Sequence, residues 1–545
     1  MVDLKIALIQ EAVARRVPDR DCVVHAHRSV SYGEFNQRSR RLANYLLGLG
    51  FGCYRERHDL QPWQSGQDHV GLYLYNCTEY LEAEFGILKS RSVAININHR
   101  YVEKELLYLF LDASLRAVVF HSVFAPQIAK IRSQLVKLKT LIQVPDESEE
   151  PLLPGAIWYE DAIAAGTAEY ADPEYSVDDL HILYTGGTTG MPKGVLWRQA
   201  DVIMAALGGR RPNGAENEIA DFVRCAEKTA SRTLPAGPFM HASGRWTAMS
   251  QILLGNTVVM PANTRRLDAD DMWTTIGREK VAGLNFAGDA FARPLLEQLD
   301  KKQYDLSTLR MITSGAAVLS PAVKRALLIK LPNIRIADTI GASETGPQAS
   351  EVIGAGQNIS TPRFNLTSTT TILSDDLSAE LATESREIGW LARSGRVPLG
   401  YLDDAEKTRA KFPTVNGVRY AVPGDRAQWN ASGSVELLGR DSAMINTGGE
   451  KVFAEEVEVA LKQHPAVYDV IVCGRPSERW GEEVVAVIKL RADAKVTVEE
   501  ILTECAKHIA RYKLPKAFVF RDEIRRSLSG KPDFVWARAE ASRAR

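Results

Sequence analysis

The sequence lacks the features that would assign it to several large classes of protein. Lysine plus arginine number 67 and aspartate plus glutamate 68 among 545 residues, so there is no excess of positive charge with which to bind a nucleic acid. The six cysteines are scattered and form neither a Cys-x-x-Cys pair nor a Cys/His cluster with zinc spacing. We therefore expect reduced, mostly buried thiols and no nucleic-acid partner.

Long apolar runs are also missing. None approaches the roughly 18 residues that a membrane-spanning helix needs. The first residues, Met-Val-Asp-Leu-Lys, lack the basic region and apolar run of a secretory signal. We expect a cytoplasmic protein with no transmembrane segment. The oligomeric state is left open, with a homodimer as one alternative.

What is present is an ordinary globular composition, with 45% apolar and 25% charged residues, in a chain too long for one hydrophobic core. Short β-like runs such as Val70–Leu74 and Val93–Ile97 are separated by segments of helical periodicity such as 79–89. This alternation predicts an α/β fold, with parallel or mixed sheets covered by helices. Further β-like runs are Ala117–Phe120, Thr257–Met260, Gly283–Phe286 and Leu309–Ile312.

The last hundred residues read as a separate, smaller unit. A helical pattern at 454–463 leads into the strand Val467–Cys473, a second strand at Val484–Leu490 and a helical pattern at 497–510. This order indicates a small α+β domain that begins near Arg440. We predict a large N-terminal domain over 1–439 and a small, mobile C-terminal domain over 440–545.

The strongest local signal is a strand that runs into a glycine-rich loop. Glycines let backbone N–H groups approach an anion closely, and threonine hydroxyls and a lysine add further donors and positive charge. Because Lys193 is preceded by Pro192 and followed by Gly194, this is not a Walker loop, and an ordinary kinase or GTPase is excluded. The loop residues are Thr185, Gly186, Gly187, Thr188, Thr189, Gly190 and Lys193.

This segment resembles the phosphate-binding loop of the adenylate-forming superfamily, which comprises acyl-CoA synthetases, peptide-synthetase adenylation domains and beetle luciferases. Further motifs of that superfamily follow in the expected order over nearly the whole chain. The resemblance implies ATP, Mg²⁺ and coenzyme A as cofactors and a carboxylic acid as substrate. The motifs are at 238–244, 313–317, 338–346, 420–425, 439–452 and 527–533.

Two of these motifs imply contacts with the acid and the adenine. The first resembles the segment that places an aromatic residue or histidine beside the acyl carboxylate, a role that falls to His241. The second resembles the turn that lies along the adenine and the acyl pocket, which implies contacts from Gly315, Ala316 and Ala317.

The motif Asp338–Gly346 resembles the adenine and magnesium segment, which implies nucleotide contacts from Asp338, Ile340, Gly341 and Ser343. Ile340 stands where the family commonly has an aromatic residue, and Ser343 keeps the hydroxyl of the usual threonine. Glu344 would hold Mg²⁺, a hard cation that takes oxygen ligands.

The last three motifs imply contacts with the ribose, the thiol and the reacting carboxylate. Asp425 would accept hydrogen bonds from the ribose hydroxyls, and Arg440 would bind ribose or phosphate. Gly448 and Gly449 would let the pantetheine arm pass close to the backbone. Lys531 would bridge the carboxylate and the α-phosphate.

The usual hinge residue of the family, aspartate or lysine, aligns with Ser442, and Asp441 is adjacent, so the hinge is left open between the two. In the family, rotation about this hinge moves the catalytic lysine out and the glycine pair in. Attack of a carboxylate on ATP brings an anion to a polyanion, so catalysis needs positive charge where negative charge develops. We expect Lys531, His241, Glu344 and Lys193 to form the catalytic group.

The sequence therefore predicts an acyl-CoA synthetase that forms acyl-AMP and pyrophosphate and then transfers the acyl group to coenzyme A. Residues 184–190, 193–199, 288–295 and 445–452 resemble bacterial synthetases for steroid side-chain acids, and a fatty acid is the alternative substrate. The main rival is an adenylating enzyme that loads a carrier protein, and an inactive nucleotide-binding regulator is a further alternative. Luciferase-type oxygenation is disfavoured.

The acid pocket is predicted to be wide because its presumed wall residues are small. Trp246 and Phe286 are the residues that could narrow it again. The small wall residues are Ala242, Ser243, Gly244, Gly288, Ala316 and Ala317.

Overall fold

A computed structural model describes most of the chain. The described residues are 4–167, 169, 173–185, 191–210, 214–357, 359, 364–430, 433–447, 450–477, 480–527 and 530–543, with the backbone alone of residue 442. The helices are α1 (Ile6–Arg16), α2 (Tyr32–Gly48), α3 (Thr78–Lys89), α4 (Glu103–Asp112), α5 (Ala125–Ile131), α6 (Tyr159–Ala165), α7 (Gln199–Ala206), α8 (Ile219–Lys228), α9 (Ala242–Leu253), α10 (Ala269–Arg278), α11 (Gly288–Leu299), α12 (Pro321–Lys330), α13 (Ala405–Lys411), α14 (Ala454–Leu461), α15 (Val498–Cys505) and α16 (Phe534–Arg543).

The strands are β1 (Asp21–His25), β2 (Arg28–Ser31), β3 (His69–Tyr73), β4 (Val93–Asn96), β5 (Ala117–His121), β6 (Thr140–Val144), β7 (Ile157–Trp158), β8 (Leu180–Thr185), β9 (Lys193–Arg198), β10 (Arg232–Pro235), β11 (Thr257–Met260), β12 (Gly283–Phe286), β13 (Met311–Gly315), β14 (Arg335–Ala342), β15 (Gly346–Gly354), β16 (Asn365–Leu366), β17 (Thr370–Leu373), β18 (Gly389–Ser394), β19 (Gly400–Tyr401), β20 (Thr414–Val415), β21 (Val418–Ala421), β22 (Asp425–Trp429), β23 (Val435–Arg440), β24 (Met444–Thr447), β25 (Glu450–Phe453), β26 (Val467–Ser477), β27 (Gly481–Leu490) and β28 (Ala517–Phe520).

Two sheets with parallel centres form the body of the large domain. The larger has the order β16-β15-β14-β13-β12-β10-β11-β1-β2. The six strands from β14 to β1 in this order run parallel to one another. The other has the order β4-β3-β5-β6-β7 and is parallel throughout. Strands such as β4, β5 and β11 are fully buried and contain Val or Ile, as expected for strands that are covered on both faces.

Two smaller sheets complete the large domain. β8 and β9 form a hairpin to which β19 is added. The other strands from β17 to β23 form an antiparallel sheet with the path β20-β21-β18-β22-β23, in which β17 pairs with β18. The hairpin carries the predicted phosphate loop, because Thr185 at the end of β8 pairs with Lys193 at the start of β9. The residues between them, 186–190, lie outside the described part of the chain.

The small domain is one sheet with helices on both faces. Its order is β25-β24-β27-β26, and β28 is added parallel to β27. One face packs on α14 and α15 through residues such as Val457 and Ile501, and the other packs on α16 through Ala537 and Ala541. The predicted α/β fold with a small C-terminal α+β domain is confirmed. The predicted helix at 497–510 is shorter than expected and ends at Cys505.

The two domains join through one short turn. β23 ends at Arg440, a 3₁₀ turn covers Asp441–Ala443, and β24 begins at Met444. Asp441 is fixed to the large domain, because its backbone N–H donates to the Gly424 carbonyl at 3.0 Å and its carboxylate lies 3.5 Å from Arg426 Nε. The predicted boundary between residues 439 and 440 stays a prediction.

The described residues can also be compared with the expectations for cysteines and for membrane-spanning helices. Each of the six cysteines is a free thiol, and four of them are buried. Every helix among the described residues is too short or too polar to cross a lipid bilayer.

Candidate active site

One deep cavity opens where the parallel strands of the larger sheet end. The carboxyl ends of β10, β12, β13 and β14 meet at the same sheet edge, which is the common location of ligand sites in open α/β sheets. The cavity has a volume of about 640 Å³ and extends between this edge, α9 and the small domain. It brings together residues from both domains. Its predicted site residues are Thr185, Lys193, His241, Gly315, Ala316, Gly341, Ser343, Glu344, Arg440 and Lys531.

Lys531 enters this cavity on a tight turn of the small domain. Ser527 Oγ accepts a hydrogen bond from the Lys531 backbone N–H at 3.1 Å, and the Ser527 N–H donates to the Lys531 carbonyl at 2.8 Å. Gly530 has a φ of +73°, and a Cβ at this position would lie 2.9 Å from the Ala287 carbonyl oxygen. Glycine is therefore required twice, for its backbone conformation and for its close approach to the large domain.

The charge of Lys531 is placed among opposing groups. Burial lowers the pKa of this amine, and the nearby Arg440 guanidinium lowers it further, while Glu344 and Asp425 act in the opposite direction. The net pKa lies below the ordinary value for a lysine. A buried amine without an adjacent anion is costly, so the cavity is suited to a ligand that carries negative charge at this point.

Glu344 is held rigidly on the large-domain side. The Tyr401 hydroxyl donates to Glu344 Oε1 at 2.8 Å, and Trp197 Nε1 donates to the adjacent Ser343 carbonyl at 2.9 Å. Burial and the Glu344 carboxylate raise the pKa of the Tyr401 hydroxyl well above its ordinary value, so this group stays a donor. The Glu344 carboxylate therefore keeps one oriented oxygen for a ligand.

The Glu344 carboxylate fits a magnesium ion that takes most of its ligands from the phosphates of a substrate. Among the described residues, no group of three or more His, Cys, Asp or Glu side chains could hold a metal ion by itself. Glu344 and Asp441 are the described carboxylates that line the cavity, which also contains Lys193 and Lys531. Mg²⁺ commonly takes one or two carboxylates together with phosphate oxygens and water, so a single glutamate suits it.

His241 lies immediately before α9 and lines the cavity. Burial lowers the pKa of its imidazole to about 3, and Lys531, His99 and Arg100 lower it in addition. Its Nε2 is buried and has no hydrogen-bond partner in the described structure. The ring is therefore neutral at physiological pH and offers an uncharged contact beside Lys531.

Asp425 and Arg440 are paired across adjacent strands. They are direct register partners in β22 and β23, and Arg440 Nε lies 3.3 Å from Asp425 Oδ1. Asp425 raises the pKa of the guanidinium, so Arg440 is charged. Arg440 lines the cavity, as do Pro423 and Gly424, while the Asp425 side chain lies behind them. Their predicted contacts with ribose stay a prediction.

Lys193 is also paired within the large domain. Its Nζ lies 3.3 Å from Asp404 Oδ2 at the start of α13. Burial acts to lower the pKa of this amine, but Tyr108 and Asp112 outweigh that effect and raise it. The amine is charged, and its position beside Thr185 places it at the base of the predicted phosphate loop.

Some predicted site residues do not line the cavity. Ala337, Thr339 and Gly341 of β14 line the cavity. Because successive side chains of a strand point to opposite faces of the sheet, Asp338 and Ile340 point to the other face. Asp338 Oδ2 lies 2.6 Å from Lys324 Nζ there. Ile340 packs on an apolar cluster that includes Ile372.

Ala317 is also absent from the cavity wall. Its Cβ lies 3.5 Å from the position that a Cβ on Gly530 would take, so it faces the Lys531 turn. The nucleotide contacts predicted for Ala317, Asp338 and Ile340 stay predictions. Gly448 and Gly449, like 186–190, lie outside the described residues.

The segment from Trp390 to Lys411 contributes cavity residues that the sequence did not single out. Tyr401 fixes Glu344, and Lys407 and Lys411 of α13 line the cavity at one-turn spacing. Lys407 Nζ also lies 5.0 Å from the centre of the Tyr401 ring. The sequence signal for Lys407 and Lys411 is a pair of basic residues at i and i+4 on a helix. Such pairs are common on solvated helices, so this signal alone does not indicate a site.

The cavity continues from the charged groups along one face of α9. Ser243, Thr247 and Ser250 lie on this face, opposite Asn285 and Ser350. Of the small residues predicted for the acid pocket, Ala242, Ser243, Gly244 and Ala316 line the cavity, and Gly288 and Ala317 do not. The wall therefore combines small side chains with several hydroxyl groups.

Trp246 forms one fixed part of the wall. Its Nε1 donates to His181 Nε2 at 3.0 Å, and its ring stands edge-on to Trp197 at 6.2 Å between centroids. Phe286, the other residue expected to narrow the pocket, is fully buried in a core cluster. The indole ring of Trp246 is therefore a part of the chamber wall whose orientation is set from behind by His181 and Trp197.

Known proteins match this architecture over the whole chain. A family model described as AMP-binding enzyme matches residues 10–380, and one described as AMP-binding enzyme C-terminal domain matches residues 456–531. The crystal structure of the anthranilate CoA ligase AuaEII with anthranoyl-AMP matches with a TM-score of 0.80 at 24% identity, covering 98% of this chain and 97% of that chain. At that identity the likeness concerns the fold.

Two curated relatives are much more similar in sequence. The medium-chain acyl-CoA ligase Mig of Mycobacterium avium is 47% identical over 541 residues, with 98% of each chain covered. The 3-oxocholest-4-en-26-oate–CoA ligase of Rhodococcus rhodochrous is 39% identical over 552 residues, with 98% of this chain and 95% of that protein covered. With both family models matched and relatives aligned end to end, this chain belongs to the family of AMP-binding enzymes.

Proposed function

We propose that this chain is an AMP-forming acyl-CoA ligase, which activates a carboxylic acid with ATP and transfers the acyl group to coenzyme A. One observation carries the proposal. Lys531 of the small domain, which is half-buried, lines the same cavity as Glu344 and His241 of the large domain. Adenylation needs positive charge at the junction of an acid chamber and a nucleotide site, and this amine stands there.

In the first half-reaction a carboxylate oxygen attacks the α-phosphorus of ATP. The bond from that phosphorus to the bridging oxygen breaks, and pyrophosphate leaves with the bond electrons. Lys531 stabilises the negative charge between the carboxylate and the α-phosphate, and Lys193 holds the departing pyrophosphate. Glu344 would hold Mg²⁺, which when bound would supply further neutralisation of negative charge.

In the second half-reaction the thiol of coenzyme A attacks the acyl carbon, and AMP leaves with its oxygen. The thiol needs the space beside His241 that Lys531 fills, so the turn around Lys531 has to withdraw. The short connection Asp441–Ala443 is the covalent link about which this can occur. Because Asp441 is fixed to the large domain, Ser442 is the first residue free to rotate, and we place the hinge there.

For the acid, we propose a substrate with an apolar body, with medium-chain fatty acids ahead of steroid side-chain acids. The fixed Trp246 ring forms part of the chamber wall, and the relative at 47% identity is named a medium-chain ligase. Steroid side-chain acids, which the sequence motifs placed first, become the second candidate here. Ala242, Ser243, Gly244 and Ala316 leave volume for them near the carboxylate. Such a wall discriminates by about 1–3 kcal/mol per methylene, so both classes can react.

The test is mass spectrometry of the products from ATP, Mg²⁺ and a panel of acids, with and without coenzyme A. AMP, pyrophosphate and an acyl-CoA thioester are expected. ADP and phosphate as primary products would overturn the adenylation mechanism. Acyl-AMP that reacts with a carrier protein but never with coenzyme A would favour the carrier-loading alternative.

The same panel decides between the acids. We compare kcat/KM for a medium-chain acid, a palmitate-length acid and a steroid side-chain acid. A preference of about tenfold or more for the steroid acid would reverse our order, since that factor corresponds to about 1.4 kcal/mol in transition-state binding.

A further inference from the structure

A line of charged side chains crosses the interface between the two domains. Asp289 and Arg293 of α11 stand on the large-domain side, and Lys462, Asp469 and Arg526 stand on the small-domain side. We call these five residues the interdomain charge line. All of them are buried or nearly so.

The contacts along this line are continuous. Arg293 Nη2 lies 3.1 Å from Asp289 Oδ2, and the same oxygen lies 3.6 Å from Lys462 Nζ across the interface. Lys462 Nζ then lies 3.4 Å from Asp469 Oδ1, and Asp469 accepts two hydrogen bonds of 2.8 Å from Arg526. Lys462 is thus shared between one carboxylate of each domain.

The small-domain end of the line is hydrogen-bonded to the turn that carries Lys531, and the large-domain part lies close along the chain to Ala287, which this turn approaches. On the small-domain side, Arg526 Nη1 donates to the Gly530 carbonyl at 3.2 Å. On the large-domain side, Asp289 follows the Ala287 carbonyl against which Gly530 is packed. Asp289 is itself immobilised, because its Oδ1 accepts from the Ser320 backbone N–H at 2.8 Å.

We propose that Asp289 and Lys462 are positioning residues for the first half-reaction, because their contact seats the small domain so that Lys531 reaches the cavity. The inference rests on the proposed function. Neither residue lines the cavity, so each acts through Lys531 rather than on the substrate.

The same geometry makes the contact reversible. When the domains separate, Asp289 keeps Arg293 and Lys462 keeps Asp469, so no buried charge is left without a partner. An uncompensated buried charge would cost several kcal/mol and would lock the domains together. Burial acts to raise the pKa of Asp289, but Lys462 and Arg293 hold it below its ordinary value, so the carboxylate is charged.

A polar cavity of about 530 Å³ beside the line supports the same conclusion. Asp289, Arg293, Asp469 and Arg526 all line it. Water in such a space solvates the charges as soon as they move apart. The interface therefore favours the adenylating arrangement without making it permanent.

The experiment measures the two half-reactions separately in Asp289→Asn, Lys462→Gln and the double variant. Asparagine keeps an oxygen for the Ser320 N–H, so the variant removes only the charge. We expect acyl-AMP formation to fall about tenfold in each single variant and no further in the double, because both break one contact. Thioester formation from supplied acyl-AMP should stay within about twofold of the parent, and Lys462→Arg should restore most of the lost rate.

Arg475→Gln is the matched control. Arg475 pairs with Glu483 at 2.8 Å and donates to the Ala541 carbonyl, both within the small domain, so losing it tests a partly buried pair away from the interface. Both half-reactions should be unchanged in this control. Equal losses in both half-reactions, additive losses in the double variant, or no loss at all would each overturn the proposal.

The parent protein separates this inference from the function on which it rests. If the parent forms no acyl-AMP from any acid, the proposed function fails. If the parent does form acyl-AMP and the variants keep its adenylation rate, only the positioning role fails.

Discussion

The two sides of the cavity are built in different ways. Glu344 is fixed by hydrogen bonds from within the large domain, through Tyr401 and through Trp197 at its neighbour. Lys531 stands on a turn whose contacts with the large domain are the close approach of Gly530 and the distant charge line. The difference indicates that the large-domain side of the site keeps its position, while the small-domain side, which carries Lys531, can move away. A two-step reaction needs this division.

The largest effect is expected from Lys531→Ala, which removes the charge on the small-domain side. Acyl-AMP formation should slow by at least about 100-fold, or about 3 kcal/mol, because the developing charge loses its neutralising partner. Thioester formation from supplied acyl-AMP should remain close to normal. Single-turnover assays of each half-reaction measure this, and equal losses would refute the division between the two sides.

Ser442→Pro should impair the second half-reaction and spare the first, which is the opposite of the effect of Lys531→Ala. Proline fixes φ and removes an N–H at the position where we place the hinge. Acyl-AMP should still form, while transfer to coenzyme A falls about 30-fold or more, a loss of about 2 kcal/mol in the barrier. An unchanged thioester yield would move the hinge elsewhere, with Asp441 as the first candidate.

Gly530→Ala tests how closely the turn must approach the large domain. The added methyl group would meet the Ala287 carbonyl, and the residue keeps a positive φ, so we expect adenylation to slow about tenfold. Gly417→Ala is the control, because Gly417 has a φ of +79° but nothing within 4 Å of the added Cβ. If both variants lose adenylation equally, backbone strain and not the interdomain contact is responsible.

The smallest effect concerns stability at the domain junction. Burial raises the pKa of the Glu455 carboxyl from 4.5 to about 7, and Asp425 and Glu458 raise it as well. Because the folded state holds the proton more tightly, this contribution to stability is complete below pH 4.5 and is lost as the pH rises through 7. Glu455→Gln should raise Tm by about 1–3 °C at pH 8 and change it little at pH 5. Differential scanning calorimetry at both values measures this, and an equal shift at the two pH values would contradict the assignment.

The sequence predicted those parts of the molecule whose signal is local. The buried strands β3, β4 and β12 appear as short apolar runs, and Lys531, Glu344 and His241 stand in recognisable motifs. These residues meet in one cavity because each motif follows a strand or turn that ends at the same place. A local sequence pattern was sufficient to predict a residue's place in the fold wherever its neighbours along the chain determine that place.

Other features depend on contacts between distant segments, and no local pattern encodes them. The phase of β14, which turns Ile340 away from the cavity, is set by packing against the Ile372 cluster. The ring of Trp246 on α9 is held in the cavity wall by His181 of β8, a contact between distant parts of the chain. The contact between Asp289 and Lys462 joins two helices in different domains, and each residue alone reads as an ordinary surface charge.

The seating of Lys531 has a consequence for the order of events in turnover. While the amine occupies the cavity, the route by which a thiol or a water molecule could reach an activated acid is closed. A mixed anhydride would thus be sheltered from hydrolysis until the turn withdraws, and pyrophosphate would have to depart before the thiol arrives. Steady-state kinetics should accordingly be of the ping-pong type, with parallel lines when coenzyme A is varied at several fixed concentrations of ATP.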